Sequence, residues 1–463
     1  MNENIEFNEV LISRYDTSGP RYTSYPTVPQ FLDVFDHEKY REIAERSNEA
    51  PVPPPLSLYF HLPFCATVCY YCACNKIITK NRSRAVPYLE SLHNEVVLQG
   101  NIFEKDRIVE QLHWGGGTPT FINIDQIAAL MDITRKHFSL RDDDTGEYSI
   151  EIDPRESSSE TIRLLRTLGF NRISIGVQDF EPEVQKAVNR IQSEEVTRAA
   201  VETARTEGFK SVSMDLIYGL PRQSVETFAN TLEKILIIGP DRLSVFNYAH
   251  LPERFKTQRQ ISESDLPAPA EKLRILKLVI DVLTDAGYVY IGMDHFAKYD
   301  DELAVAQRNG TLCRNFQGYS THSECDIIGM GVSAISKIGS SYTQNTTLVD
   351  EYEKSLSAGK IPVTRGITLD YDDKLRGYVI NQLICYFQLD IIELAEQQGI
   401  NFEDYFSNEI QLLKRMEKDG LITINTQFLK VEPAGRLLIR NICMIFDKYI
   451  RHNQNGRQYS RLI

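Results

Sequence analysis

The chain has no run of about 18 apolar residues, so a membrane-spanning helix is not expected. Its first residues, MNENIEFNEV, are polar and acidic. They lack the basic start and apolar core of a secretory signal and the arginine-rich character of a transit peptide, so the cytoplasm is the expected compartment. Basic residues are outnumbered: 51 Lys and Arg face 64 Asp and Glu, for a formal net charge of −13. That balance speaks against non-specific nucleic-acid binding, which needs a basic surface. It leaves room for an anionic substrate, because local arginines can still line a pocket. Internal repeats and low-complexity tracts are absent. With 463 residues the chain is long enough for one large domain and one or two smaller units.

Cysteine is scarce but concentrated. Of eight, four lie within ten residues: Cys65, Cys69, Cys72 and Cys74, in the run HLPFCATVCYYCACNK. The other four, Cys313, Cys325, Cys385 and Cys443, are scattered, and the expectation for Cys313 and Cys325 is burial as small hydrophobes. A disulfide framework is not expected in a long chain of this kind. Zinc is the commonest alternative for clustered cysteines, but it usually pairs C-x2-C with a second distant pair, which this sequence lacks. The first three loop cysteines read C-x3-C-x2-C, a spacing that lets three thiolates converge on one iron–sulfur cluster. Three ligands on a [4Fe–4S] cube leave one iron open to a reactant.

From residue 56 strands and helices alternate. Strands are predicted at 56–61, 109–114, 148–152, 172–177, 212–217 and 243–248, with helices between them at 86–98, 124–138, 159–168, 193–207 and 224–238. Such alternation implies a parallel sheet with covering helices. Six units are too few for a closed eight-fold barrel, so the predicted fold is α/β, a partial (β/α)6 barrel. A further helix at 270–286 and strand at 288–292 follow. An N-terminal arm occupies residues 1–50, the barrel 51–300, an extension completing the core 301–370, and a mainly helical C-terminal domain 371–463. The last segment (helices at 372–387, 391–398, 402–418 and 434–449 around a hairpin at 421–431) resembles a winged DNA reader in outline. Its 12 Lys/Arg against 12 Asp/Glu give it no basic footprint, so an accessory lid is expected instead.

The polar residues that carry chemistry fall just after the predicted strands, the edge where such sheets bind ligands. They are Cys65, Gly115 to Thr118, Glu151, Gln178, Asp215 and Ala249. Three consecutive glycines in HWGGGTP remove side chains so that a ligand can lie against the backbone. Gly329-Met330-Gly331 with Ala334 matches a dinucleotide fingerprint, but no βαβ unit surrounds it, and no nucleotide site is expected there. His113, His250, His295 and His322 are isolated, and a structural role is expected of each.

The cysteine loop, with Tyr71 before the third cysteine, resembles the signature of the radical S-adenosylmethionine (SAM) enzymes. Over nearly its whole length the chain resembles one family among them, the oxygen-independent coproporphyrinogen III oxidases (HemN). The segments are GPRYTSYPT at 19–27, LYFHLPFCATVCYYCACNK at 58–76, LHWGGGTPT at 112–120, EIDPRE at 151–156, ISIGVQDF at 173–180, VNR at 188–190, MDLIYGLP at 214–221, FNYAHLP at 246–252 and RNFQGYSTH at 314–322. The resemblance implies a [4Fe–4S] cluster on Cys65, Cys69 and Cys72, and two SAM molecules side by side. It places Tyr59, Gly116, Gly117, Thr118, Glu151 and Arg190 around the SAM on the cluster, and Gln178, Asp215, Ala249 and Ile335 around the second. Cys74 is a functional residue of undefined role. The implied substrate is coproporphyrinogen III, two of whose propionates become vinyl groups with loss of CO2, giving protoporphyrinogen IX. An electron donor such as a flavodoxin or ferredoxin, an unknown electron acceptor and a monomeric chain go with it. Neither nucleic acid nor a membrane is an expected partner.

Two other relatives share the core: a haem chaperone, which typically lacks the GPRYTSYP arm and the fourth cysteine, and an anaerobic haem-degrading enzyme. In the arm, Arg21 can pair with a propionate and Tyr22 can cover a flat tetrapyrrole, so closure of the arm over the substrate is expected.

Overall fold

In the computed structural model, which describes residues 5–452 together with 459 and 461, a 13-stranded sheet forms the body of the molecule. Its centre is six parallel strands. They are β1 (Leu56–Leu62), β2 (Ile108–Gly116), β3 (Glu147–Ile152), β4 (Arg172–Gln178), β5 (Ser211–Tyr218) and β6 (Arg242–Asn247). The last four alternate buried and half-buried residues, as expected of strands packed on helices outside and lining a cavity within. The covering helices start where the sequence supplies caps. Asn123, Ser158, Ser193 and Ser224 each accept a hydrogen bond from the backbone N–H three residues on.

The partial (β/α)6 barrel expected from the sequence is therefore present, and the sheet continues beyond it on both edges. Past β6 lie β7 (Tyr288–Gly292) and β8 (His295–Lys298), both antiparallel additions. Past β1 lies β9 (Asp326–Met330), which pairs with it in parallel from Leu56↔Asp326 to Phe60↔Met330. The antiparallel strands β10 (Ile335–Ile338), β11 (Ser341–Asn345) and β12 (Val363–Thr368) follow. Gly329 thus lies within β9, between β1 and β10, and Gly331 just after it. A Cβ on Gly329 would come within 2.5 Å of the Ile335 carbonyl, and one on Gly331 within 2.6 Å of the His61 carbonyl. These glycines let backbones approach one another; the stretch after them is strand, not helix.

The C-terminal segment packs the helix Tyr371–Tyr386 against Ile439–Phe446. Two expected helices are broken. Residues 402–418 divide at Phe406, whose backbone leaves the helical region, into Phe402–Tyr405 and Ser407–Lys418. Residues 434–449 begin as a 3-10 turn and stop at Asp447, whose backbone is extended. The hairpin gains a third strand, Gln388–Asp390. The arm is packed into the molecule. Asn8 caps a short helix, Glu9–Tyr15, that the sequence reading missed, and Ile12, Tyr22, Tyr25 and Phe31 are buried. Among the described residues no helix is long and apolar enough to cross a membrane.

Candidate active site

The cysteine loop leaves β1 and runs past the C-terminal ends of the parallel strands. Short parallel pairing of Phe64–Cys65 with Ile77–Ile78 closes its base. Neighbouring segments hold it in place. The Tyr70 N–H donates to the Val188 carbonyl at 3.0 Å, and the Asn189 amide to the Val68 carbonyl at 2.7 Å. The Gln258 amide donates to the carbonyls of Tyr71 (3.0 Å) and Ala249 (3.2 Å), and the Thr257 hydroxyl to that of Cys72 (3.2 Å). Gln258 and Thr257 were not singled out in the sequence, because nothing local distinguishes them.

Cys69 is buried, Cys65 and Cys72 are half-buried, and Cys74 is exposed. Cations converge on them. The Arg190 and Arg155 guanidinium groups lie 3.7 Å and 3.9 Å from the Cys69 sulfur. The Lys76 ammonium donates to the carbonyls of Cys72 and Cys74. The Cys72 thiol is lowered to about 6 by its hydrogen bond with Cys74, which outweighs burial, and by Lys76. Burial pushes the Cys65 thiol up to about 11 despite the Thr118 hydroxyl at 3.7 Å. One zinc ion, with Zn–S bonds of about 2.3 Å, would draw its sulfurs within roughly 4.6 Å of one another. Among the described residues, His322, Glu324 and Cys325 form the set of three ligand atoms within 4.8 Å; the loop cysteines form no such set. Three thiols spaced more widely among compensating cations suit a multi-iron cluster.

The glycine run is shaped by this loop. A Cβ on Gly117 would meet the Pro63 and Phe64 backbone at 2.7 Å, and Gly116 takes φ +113°. Gly117 and Thr118 donate their N–H groups to the carbonyls of Leu62 and Phe64 at 2.9 and 2.8 Å. Glycine is thus required at 117 by the chain's own backbone, and at 116 by its positive φ and by the His61 ring, 2.7 Å from where a Cβ would lie.

Glu151, at the end of β3, opens into a cavity of about 200 Å3 that it shares with Tyr59, His61, His113, Phe316 and Ile335. Burial alone would raise its carboxyl. The hydrogen bond from His113 (3.3 Å) and the Gly116 N–H (3.3 Å) hold it below the usual range. His113 is in turn fixed by the Ser149 hydroxyl at 2.6 Å, and it stacks on Tyr59. A structural role was expected of this histidine; the group it positions is Glu151. A second cavity, about 220 Å3, joins Glu151 to Asp215. Burial, with Glu151 close by, pushes the Asp215 carboxyl up to about 6, although Ser244 and Ser174 donate to it.

At the end of β4, Gly176 lies between the Gln178 amide and Arg190. Arg190 donates to the Gly176 carbonyl (2.6 Å) and to Asp153 (3.1 Å), which also binds Arg155. Gln178 and Asn189 hold left-handed backbones (φ +70° and +54°), a strain tolerated where surrounding contacts fix the geometry. Asp153 and Arg155 lie in the quoted EIDPRE segment, so their signal was present but unused.

The structure thus brings Tyr59, Glu151 and Ile335 into one cavity, Glu151 and Asp215 into the next, and Arg190 beside Cys69, with Gln178 next to Gly176. Ala249 stays on the loop braced by Gln258. Arg21 and Tyr22 line neither of these two cavities. Arg21 donates to the Asn247 carbonyl at 3.2 Å. Tyr22 is buried against the C-terminal domain, its hydroxyl donating to Asp447 at 3.0 Å.

Comparison with known proteins agrees with this geometry. Residues 59–235 match the Radical SAM superfamily and residues 369–438 the HemN C-terminal domain. The chain is 51% identical, over the full length of both proteins, to the oxygen-independent coproporphyrinogen III oxidase of Pseudomonas aeruginosa. It is 49% identical to that of Escherichia coli, covering 100% of this chain and 99% of the relative. The solved coproporphyrinogen III oxidase (HemN) from Escherichia coli, a radical SAM enzyme, superposes with a TM-score of 0.91 at 48% identity, covering 96% of this chain and all of that one. With such relatives matched over nearly the whole of both chains, the chain belongs to the oxygen-independent coproporphyrinogen III oxidase family of radical SAM enzymes.

Proposed function

We propose that this chain carries out the oxygen-independent oxidative decarboxylation of two propionates of coproporphyrinogen III, giving protoporphyrinogen IX. The observation that carries the reading is the convergence of the cysteine loop, Glu151, Arg190 and Asp215 at one edge of the barrel, in a chain alike to these oxidases from end to end. Cys65, Cys69 and Cys72 would hold the [4Fe–4S] cluster, and Cys74 stays a functional neighbour of undefined role. When bound, the cluster would supply the electron for reductive cleavage of SAM; after a hydrogen is taken from the propionate β-carbon, loss of CO2 would release one further electron to an acceptor outside the chain.

The protein's part is to bind, orient and keep water out. Tyr59, Gly116, Gly117, Thr118, Glu151 and Arg190 hold the first SAM. Glu151, kept ionised by His113, accepts from its amine or ribose hydroxyls, and Arg190 offers a fork for a carboxylate. Gln178, Asp215 and Ala249 hold a second SAM together with Ile335, which lies on the Glu151 side; the cavity beside Asp215, which Glu151 also lines, supports this reading. Arg21 and Tyr22 act from the arm, with the division into arm 1–50, barrel 51–300, extension 301–370 and lid 371–463. A flavodoxin- or ferredoxin-like donor, a monomeric state and a cytoplasmic setting complete the proposal.

The test is anaerobic incubation of reconstituted protein with coproporphyrinogen III, SAM and a reductant. Product masses should show two successive losses of CO2 and two hydrogens. Unchanged substrate, or methyl transfer to a tetrapyrrole, would sink the reading.

A further inference from the structure

Behind the hairpin formed by Cys313–Asn315 and Gly318–Ser320 lies a larger cavity, about 610 Å3. That is within the range of pockets that enclose whole organic ligands. Tyr22 and Tyr25 of the arm, the hairpin, the turn between β10 and β11, and the helix Tyr371–Tyr386 form its walls. It adjoins the Glu151 cavity, since Ile327 lines both. Phe316 faces the Glu151 side and Arg314 the larger cavity. Arg314 is in the first strand of the hairpin and Phe316 in its turn, two positions on, so at most about 7 Å of chain separates them.

The charge of this cavity is unusual for a chain of net −13. Arg314, Lys337 and Lys374 line it, and none of the three has a carboxylate partner among the described residues. The carboxylate among its lining residues, Asp373, is already taken by the Lys448 ammonium and the Tyr449 hydroxyl, each at 2.9 Å. Arg314 is the sharpest case. Its Nε and Nη1 atoms are buried without a hydrogen-bond partner, and the guanidinium is held over the Tyr319 ring, 4.6 Å from its centroid. Desolvating a guanidinium without an acceptor costs stability, so an acceptor from outside the chain is the natural complement. The walls add aromatic surface for an apolar body. Polycarboxylates with a large apolar framework match all of this.

We propose that this cavity seats the body of the tetrapyrrole and that Arg314 holds a propionate remote from the reacting one, as a forked guanidinium–carboxylate pair. The inference rests on the substrate class assigned under Proposed function and adds the place and the anchoring residue. Binding energy collected on a remote propionate would position the one undergoing reaction. It also explains why two separate motifs, GPRYTSYPT and RNFQGYSTH, contribute walls to one cavity.

The experiment is anaerobic equilibrium binding of coproporphyrin III and of its tetramethyl ester to the cluster-loaded protein. Wild type should prefer the free acid. Arg314→Gln should weaken the free acid about tenfold to a hundredfold, the scale of a lost charged hydrogen-bond pair, and leave the ester unchanged. Arg314→Lys should fall between, and KM for coproporphyrinogen III should rise more than kcat falls. Wild-type affinity for the free acid in Arg314→Gln overturns the proposal, as does equal weakening of acid and ester. Should that variant fail to fold, the double change Lys337→Gln/Lys374→Gln serves, with severalfold weaker binding of the acid expected and unchanged binding overturning the cationic cavity. Decarboxylation by the wild type is scored separately: its absence defeats the functional reading, whereas its presence with an indifferent Arg314 defeats this inference alone.

Discussion

Glu95 sits at the end of a chain of support that reaches the active site, and its titration should be visible in stability. It is fully buried in the helix Ala85–Gly100. Its carboxyl accepts from the Tyr352 hydroxyl (2.6 Å), the Gly331 N–H (2.7 Å) and the Asn345 amide (2.7 Å). It therefore pins the start of the 331–335 loop, whose later residues line the Glu151 cavity. Burial outweighs those hydrogen bonds and raises the carboxyl from 4.5 to about 7. A carboxyl with a raised value binds more protons folded than unfolded between these limits. Stability should then be full below about pH 4.5 and fall as pH rises toward 7, the reverse of a salt-bridged acid. The difference amounts to about 3 kcal/mol. With an unfolding entropy of about 2.1 cal/mol/K per residue over 463 residues, that corresponds to roughly 3 °C in Tm. Glu95→Gln keeps the shape and removes the titration. The assay is Tm of both proteins, anaerobic and cluster-loaded, from pH 5 to 8. Groups common to both cancel in the difference, so the Gln variant should gain on wild type by about that amount as pH rises. Parallel curves, or a gap opening in the opposite direction, would refute the reasoning.

Replacing Cys65, Cys69 or Cys72 by Ala should abolish a cluster that otherwise holds about four irons and four sulfides and bleaches in air; a triple variant that still binds a cubane rules out these ligands. Gln178→Ala or Asp215→Ala should keep the cluster and perturb the second SAM more than the first in anaerobic equilibrium binding, and unchanged stoichiometry with full turnover counts against two SAM sites. Tyr22→Phe removes a donor from Asp447, which is 2% exposed, and should cost about 1–3 kcal/mol in stability. An unchanged Tm there would show that the arm is not tied down through this hydroxyl.

The sequence alone revealed the alternation of β1 to β6, because period-two strands between capped helices leave their mark locally, and it exposed the cysteine loop, because ligand spacing is local too. The residues after the strand ends were legible for the same reason: a parallel sheet puts its chemistry at one edge. Other facts depended on tertiary structure. β9 joins β1 only through pairing across more than 260 residues, from Leu56 to Asp326, and no local pattern encodes that. Phe406 and Asp447 break helices because packing selects their backbone conformation over the periodicity of their neighbours. The glycine run of HWGGGTP looks in sequence like an open ligand cradle, yet the chain itself fills the space beside it: the side chains of Glu151 and His61 at Gly115 and Gly116, and the Pro63–Phe64 backbone at Gly117. His113 became the partner of Glu151, and Arg314 was left without an acceptor, only once distant segments came together. Ligand geometry and strand pattern are properties of short stretches, whereas burial, partnership and the pairing of charges are set by which stretches meet.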